Sequence, residues 1–447
     1  MHDVLLVGGG AVGLSIALEL ARRGKRVHVV ERGVLGGESS WAGAGIVPPG
    51  RFDKQDSPLV QLGGLSAEMH VELAERLRRD TGIDNGYRVT GALYLAPNKE
   101  HRAHLEEEVA PFRAQNQICR TLDGAALNNI EPALAGALDD GRVAAGYHIP
   151  QEAQLRNPRH VRALVAACAK LGVTLTENAP VEEWIVAGDR VREVRTVQGS
   201  FAAEQFCLST GAWSRQLGEQ LGVRLAVKPI RGQIALLNPQ SAVIRGIVYY
   251  GPRYFVGRDD GRVLVGSTLE DVGFDRRTTA SVIRELLDFA VGLAPQLASA
   301  DVEKTWAGLR PHSADGLPYL GRVPHLTNTF VAAGHYRWGL ALSPATALTM
   351  TQLMLGEPTA VDMSVFRVGR RPITNRTQSP PRSLTRSSWP LILPPRSPSS
   401  AQARPDLRPR SMLVISATKS NCSSAAKSPP PFGNPPTCGC SPPGASV

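Results

Sequence analysis

Three groups of residues in this 447-residue chain have types and spacings suited to chemistry. The first is Gly8-Gly9-Gly10-Ala11-Val12-Gly13, where Gly8, Gly10 and Gly13 keep a G-x-G-x-x-G spacing, with Glu31 following 18 residues after Gly13. Gly8 permits a tight turn. Gly10, lacking a Cβ, lets a pyrophosphate approach the backbone, and Gly13 lets a helix pack close to a strand. The start of that helix offers free N–H groups and partial positive charge to phosphates. Glu31 stands where an acid accepts two ribose hydroxyls, and its charge disfavours a 2′-phosphate and so NADP. The motif does not separate FAD from NAD. The second group is a loop of small residues, Gly36 to Ile46, in which Ser39 and Ser40 can hydrogen-bond phosphate oxygens. The third is a pair of arginines, Arg310 and Arg337, each beside glycines in what reads as a turn-like segment. A guanidinium in a closed site suits a bidentate grip on a carboxylate.

These groups need elements to position them. Residues 3–7 read as a buried strand, and Leu14, Ala17, Leu18 and Ala21 recur at helical intervals before Gly24 at a C-cap position. Val27, Val29 and Val30 form a second strand that ends at Glu31. Helical patterns follow over 58–80, much of 101–135, and 158–172, with an alternating strand over 87–96. Phe206-Cys207-Leu208 is a strand entering the turn Ser209-Thr210-Gly211-Ala212-Trp213, a usual place for ligand contact. From 225 to 270 the pattern turns to short strands separated by glycine turns, which predicts an antiparallel sheet distinct from a parallel core. A helix over 279–297 comes next. Residues 330–333 then run into Gly334 and a helix from Pro344 to Leu355, a second strand–glycine–helix unit.

Composition narrows the function. The net charge of +10 suggests nucleic acid only until it is located: residues 371–447 hold ten basic residues and one acid, leaving the first 370 near neutral. That same stretch holds 16 of the 34 prolines and lacks periodicity, so it is expected to be a disordered, low-complexity tail, natural or from a shifted reading frame. The six cysteines show no zinc or disulfide spacing, which fits a reducing compartment. No metal site is expected. No secretory leader and no membrane-length apolar run is read, so a cytoplasmic enzyme is expected.

Together these pieces resemble the D-amino-acid oxidase superfamily of FAD-dependent amine oxidases, and within it the glycine oxidases of thiamine biosynthesis. The resemblance rests on Gly8 to Gly13 with Glu31, Ser39-Ser40-Trp41-Ala42-Gly43-Ala44-Gly45-Ile46, Gly211-Ala212-Trp213-Ser214, Trp306 to Pro311, and Gly334-His335-Tyr336-Arg337. It covers residues 1 to about 370. Two residues depart from the pattern: Trp338, where the glycine oxidases carry a small amide, and Leu269, where they can carry methionine.

The resemblance implies an α/β fold, with a Rossmann-like FAD-binding domain from segments 1–88, 146–226 and 302–370 and an antiparallel β-rich substrate domain from 89–145 and 227–301. It implies FAD contacts, non-covalent, from Ala11, Val12, Glu31, Arg32, Ser39, Ser40, Ala44, Gly45, Ile46, Val181 and Gly211. The stretch His335, Tyr336, Arg337, Trp338, Gly339, Leu340 and Ala341 would lie near the isoalloxazine. Arg310 would hold a substrate carboxylate with Tyr254 assisting, and Arg337 would lie over the flavin edge. A small amino acid, most simply glycine, with sarcosine or small D-amino acids as further substrates, would bind as the neutral amine. It would give a hydride to flavin N5, with no protein acid or base required. Imine, then glyoxylate and ammonia, would be the products, with oxygen reduced to peroxide. A thiazole synthase is the implied partner, and a homo-oligomer is compatible. The same superfamily leaves a D-amino-acid dehydrogenase and a sarcosine-type oxidase open. From another class, a flavin-binding protein without turnover of its own remains open too.

Overall fold

The structure is a computed structural model and describes residues 2–370. The stretch 371–447, expected to be a disordered tail, lies outside the described residues. The expected first unit forms. His2–Val7 is a strand, Ala11–Arg22 a helix and Val27–Val30 a second strand parallel to the first. Around them runs a parallel core in which Gly199–Leu208 and Thr174–Thr176 flank the first pair. Strand Gly199–Leu208 has two neighbours on one edge. Its first half pairs antiparallel with Arg190–Thr196, and its last three residues pair parallel with Thr329–Ala333.

The pleat sorts the apolar residues of the first strand onto two faces. Val4 and Leu6 join the cluster built with helices Ala11–Arg22, Pro58–Thr81, Asn157–Lys170 and Ser343–Leu355. Leu5 and Val7 join the opposite cluster with Phe206, Leu208 and Trp184. Leu5, Leu6 and Phe206 are fully buried, and each contributes about 1.5–3 kcal/mol by that burial.

The second sheet has eight strands, in the order 301–313, 227–238, 263–266, 253–257, 247–250, 92–96, 145–149 and 120–121. Neighbours are antiparallel except Ile247–Tyr250 against Ala92–Ala96, which are parallel. One face is covered by helix Ala280–Leu293 through Leu286, Ala290 and Leu293. The other meets Leu105, Val109 and Phe112 of helix Lys99–Ala114.

Two differences from the sequence reading matter for the site. Arg310 does not lie in a turn. It lies in the strand Asp301–Ser313, which pairs along its length with Val227–Asn238. Glycine at 308 is used there for close packing rather than for a bend. The segment 302–370, and 146–226 likewise, does not run wholly with the dinucleotide-binding part. Strands Asp301–Ser313 and Ala145–Ile149 belong to the second sheet, because the ladder partners of each are there. Among the described residues no helix is long and apolar enough to cross a membrane.

Candidate active site

The glycine turn is built as its spacing requires. Gly8 has φ +107°, and a Cβ there would lie 2.5 Å from the Ser209 carbonyl oxygen. At Gly13 a Cβ would lie 2.1 Å from the Gly8 carbonyl oxygen, so only glycine allows the helix to start this close to the strand. Ser209 pins the turn by donating to the carbonyl oxygens of Gly8 and Val7, at 2.9 and 3.2 Å. The helix begins at Gly10, which brings no side-chain cap, and its Ala11 N–H bonds the Ser40 hydroxyl at 2.9 Å. Glu31, at the end of the second strand, accepts from the N–H groups of Gly9 at 2.8 Å and Gly33 at 3.0 Å. Each carboxylate oxygen keeps a further lone pair for a ligand hydroxyl. Arg32 lays its guanidinium over the Trp213 ring, 3.3 Å from the centroid, and pairs with Glu38 at 2.6 Å.

Ser39–Ala42 forms one helical turn, after which Gly43 to Gly45 lead into strand Ile46–Val47, paired antiparallel with Ala153–Gln154 in a small three-stranded sheet. Ser39 donates to the Leu309 carbonyl and Trp306 Nε1 to the Ala42 carbonyl, which ties this loop to the strand bearing Arg310. Gly308 makes the close pass possible, since a Cβ there would lie 2.6 Å from that of Ala42. Asn157 holds the loop from the other side by donating to the Ser40 carbonyl at 2.8 Å. Its Oδ1 is buried beside the cavity without a partner. An orphaned acceptor next to an uncapped helix start is what a hydroxyl-rich phosphate cofactor would satisfy.

At the other end of the cavity stand Arg310, Tyr254 and Arg337. Arg310 donates to the Thr268 carbonyl at 3.0 Å and the Ser267 hydroxyl at 2.8 Å. Burial lowers its proton affinity, and the neighbouring Arg337 charge lowers it further. Two glycines make room for this clamp. A Cβ on Gly232 would lie 2.1 Å from an Arg310 guanidinium nitrogen, and one on Gly266 would lie 2.6 Å from the Tyr254 ring. The His335–Ala341 stretch is stitched to the same strand: Tyr336 N–H bonds the Pro311 carbonyl at 2.9 Å, and the Tyr336 ring stands edge-on to His312. Tyr336 holds φ +52°, a left-handed conformation that costs a side-chain-bearing residue about 1 kcal/mol or more.

All the expected site residues except Gly13 border one cavity of about 490 Å³, a size ordinary for small-molecule and cofactor sites. Gly13 sits behind it, packing helix against strand. The two ends of the cavity come from different sheets: Glu31 from the first, Arg310 and Tyr254 from the second. Trp338 borders the cavity and also packs against the core of the first sheet, whereas Leu269 is not among the bordering residues. Sequence reasoning missed Asn157, Gly232, Gly266, Tyr94 and Tyr249. The glycines carried a signal, since a glycine inside a strand pattern marks a close approach.

This arrangement defines a class. A family model described as FAD dependent oxidoreductase matches residues 3–353, and the chain belongs to that family. Curated relatives narrow it. The chain is 37% identical over 366 residues to the glycine oxidase of Pseudomonas putida, covering 81% of this chain and 97% of that one. It is 32% identical over 373 residues to a bifunctional ThiO/ThiG protein of a Nostoc species, covering 83% of this chain and 55% of that protein. The solved glycine oxidase of Geobacillus kaustophilus matches with a TM-score of 0.77 at 34% identity, over 83% of this chain and 99% of that one. The protein is an FAD-dependent amino-acid oxidase.

Proposed function

We propose that the protein oxidises glycine, and more slowly sarcosine or small D-amino acids, to the imine. The Arg310 clamp carries this reading. A buried guanidinium with a tyrosine beside it, facing the same cavity as the dinucleotide end, suits an α-carboxylate. Fixing the carboxylate would hold the reacting carbon in the cavity that the His335–Ala341 stretch also borders. FAD held here would supply the hydride acceptor and the route for electrons to oxygen, giving hydrogen peroxide. The imine then hydrolyses to glyoxylate and ammonia or is handed on. The ThiO/ThiG relative joins a similar chain to a second one. That supports a thiazole synthase as the receiver of the imine in thiamine synthesis, in the cytoplasm.

Residues Ala11, Glu31, Ser39, Ser40 and Asn157 would hold the pyrophosphate and ribose side, without a covalent link. Residues 300–370 contain no cysteine to tether a flavin. Heat should therefore release all yellow colour into the supernatant. The deciding experiment is anaerobic mixing of the holoenzyme with glycine, sarcosine and D-alanine, followed by air. Rapid bleaching by glycine, with prompt recovery and peroxide, is expected. Bleaching only by a larger D-amino acid, or recovery only with an added quinone, would move the enzyme to the dehydrogenase branch.

A further inference from the structure

Behind the wall of the substrate end lies a fully buried carboxyl group, Glu152. Its two oxygens accept from two phenols, Tyr94 at 2.8 Å and Tyr249 at 2.9 Å. Both tyrosines border the cavity that holds Arg310 and Tyr254. Their rings lie 4.5 Å apart, and the Tyr249 ring is edge-on to Tyr254 at 6.3 Å. When both phenols donate to the carboxylate, each phenol oxygen keeps lone pairs for an N–H donor.

The substrate reading creates a need at this place. An amino acid arrives as a zwitterion, but only the neutral amine has the lone pair that drives a hydride off Cα. Arg310 and Arg337 are cations and accept no proton. We propose that Glu152, reached through Tyr249, accepts the proton that the amino group sheds on binding. An ammonium N–H bond breaks and that proton forms a new O–H on Tyr249. The original Tyr249 proton passes to Glu152. No electrons move. Neutral amine, neutral tyrosine and a neutral carboxylic acid result. The substrate is thus read at both ends, by a cation at its carboxylate and by a buried anion behind its amine.

Burial supports the assignment, because it raises Glu152 to about 7 against the opposing tyrosine hydrogen bonds. Other titratable and charged groups around the network are few. Tyr94 comes from strand Ala92–Ala96 and Tyr249 from Ile247–Tyr250, with Tyr254 on the next strand acting on Tyr249. Glu108, from helix Lys99–Ala114, acts on Tyr94 and is itself raised to about 7 by burial, opposed by Arg337. Arg258, just past strand Arg253–Gly257, donates to Gln154 and the Leu155 carbonyl on the segment after Glu152, and to the Ala44 carbonyl. Glu108 is thus the rival acceptor.

The test counts protons. Glycine is titrated calorimetrically, without oxygen, into dithionite-reduced holoenzyme, which cannot take a hydride. Buffers of different ionisation enthalpy are used at about pH 8, where Glu152 is ionised before binding and glycine is still an ammonium. The wild type should release close to no protons to buffer. Glu152→Gln and Tyr249→Phe should each release close to one, and Glu108→Gln should match the wild type. Glycolate, which has no amine, should release none from any of them. Equal counts for the wild type and Glu152→Gln overturn the proposal, as does a change seen only in Glu108→Gln. Should Glu152→Gln fail to hold FAD, Tyr249→Phe decides alone. The inference rests on the amino-acid substrate reading. Oxidised wild type is therefore first mixed with the same amino acid: absent bleaching sinks that reading, whereas bleaching with equal proton counts sinks only this one.

Discussion

At the scale of single residues, the clamp is more exacting than its arginine alone. Removing a charge partner from a desolvated carboxylate contact costs about 2–5 kcal/mol. Arg310→Ala should therefore lower kcat/KM for glycine by about a hundredfold or more and leave FAD content unchanged. Steady-state kinetics with a flavin absorbance ratio checks both. Gly232→Ala is the sharper test. The three atoms nearest its new Cβ all belong to the guanidinium of Arg310, the far end of a flexible side chain. The fold should survive while the clamp is displaced. A loss of about tenfold in kcat/KM, near 1.4 kcal/mol, is expected with the melting temperature little changed. Wild-type kinetics in this variant would show that the guanidinium position does not matter.

At the scale of elements, helix Pro58–Thr81 positions the flavin-side stretch without itself bordering the cavity. Ser66 Oγ and His70 Nε2 both donate to the Ala341 carbonyl, at 2.7 and 3.0 Å. Burial keeps His70 neutral by lowering it to about 4, so the arrangement holds throughout the neutral range. A net hydrogen bond is worth about 1 kcal/mol. Ser66→Ala and His70→Ala should thus each weaken FAD binding by about fivefold, read by quenching of flavin fluorescence. No change in either would mean that the 335–341 stretch is held by Tyr336 and the glycines alone.

At the scale of the whole molecule, the buried ionisable groups set an unusual pH dependence. His28, His70 and His335 are lowered to about 4 and His160 to about 3, each mainly by burial. The unfolded chain protonates them as pH falls through 6.5, the fold only near 4, so in this window acid costs the fold stability. Glu108, Glu131 and Glu152 run the other way. Burial raises each to about 7 from 4.5, so between those values the fold takes up protons that the unfolded chain does not, and acid adds stability. His2, His148 and His312 are lowered as well, so seven histidines oppose three carboxyls and the loss outweighs the gain. Below 4.5 the unfolded carboxyls protonate too and the offset ends. The melting temperature should therefore decline gently from pH 6.5 to 4.5 and more steeply just below. A flat melting temperature between pH 6.5 and 4.5 would contradict it.

The dinucleotide end is legible in the amino-acid order alone. Gly8, Gly10, Gly13 and Glu31 lie within one strand–turn–helix–strand unit, where local spacing dictates geometry and no distant partner is needed. The resemblance carried by Trp306 to Pro311 also pointed to Arg310, which borders the cavity together with Arg337. Everything made by contact between strands far apart in the chain became visible only once those strands were paired. Arg310 reads as a turn residue until its ladder partner, 80 residues earlier, shows the strand. What Gly232 and Gly266 make room for shows only when the side chains that fill their space arrive from neighbouring strands. The Tyr94–Glu152–Tyr249 network has no local signature at all. Its three members lie on segments separated by 58 and 97 residues, and only the parallel pairing of Ala92–Ala96 with Ile247–Tyr250 closes them around one buried charge.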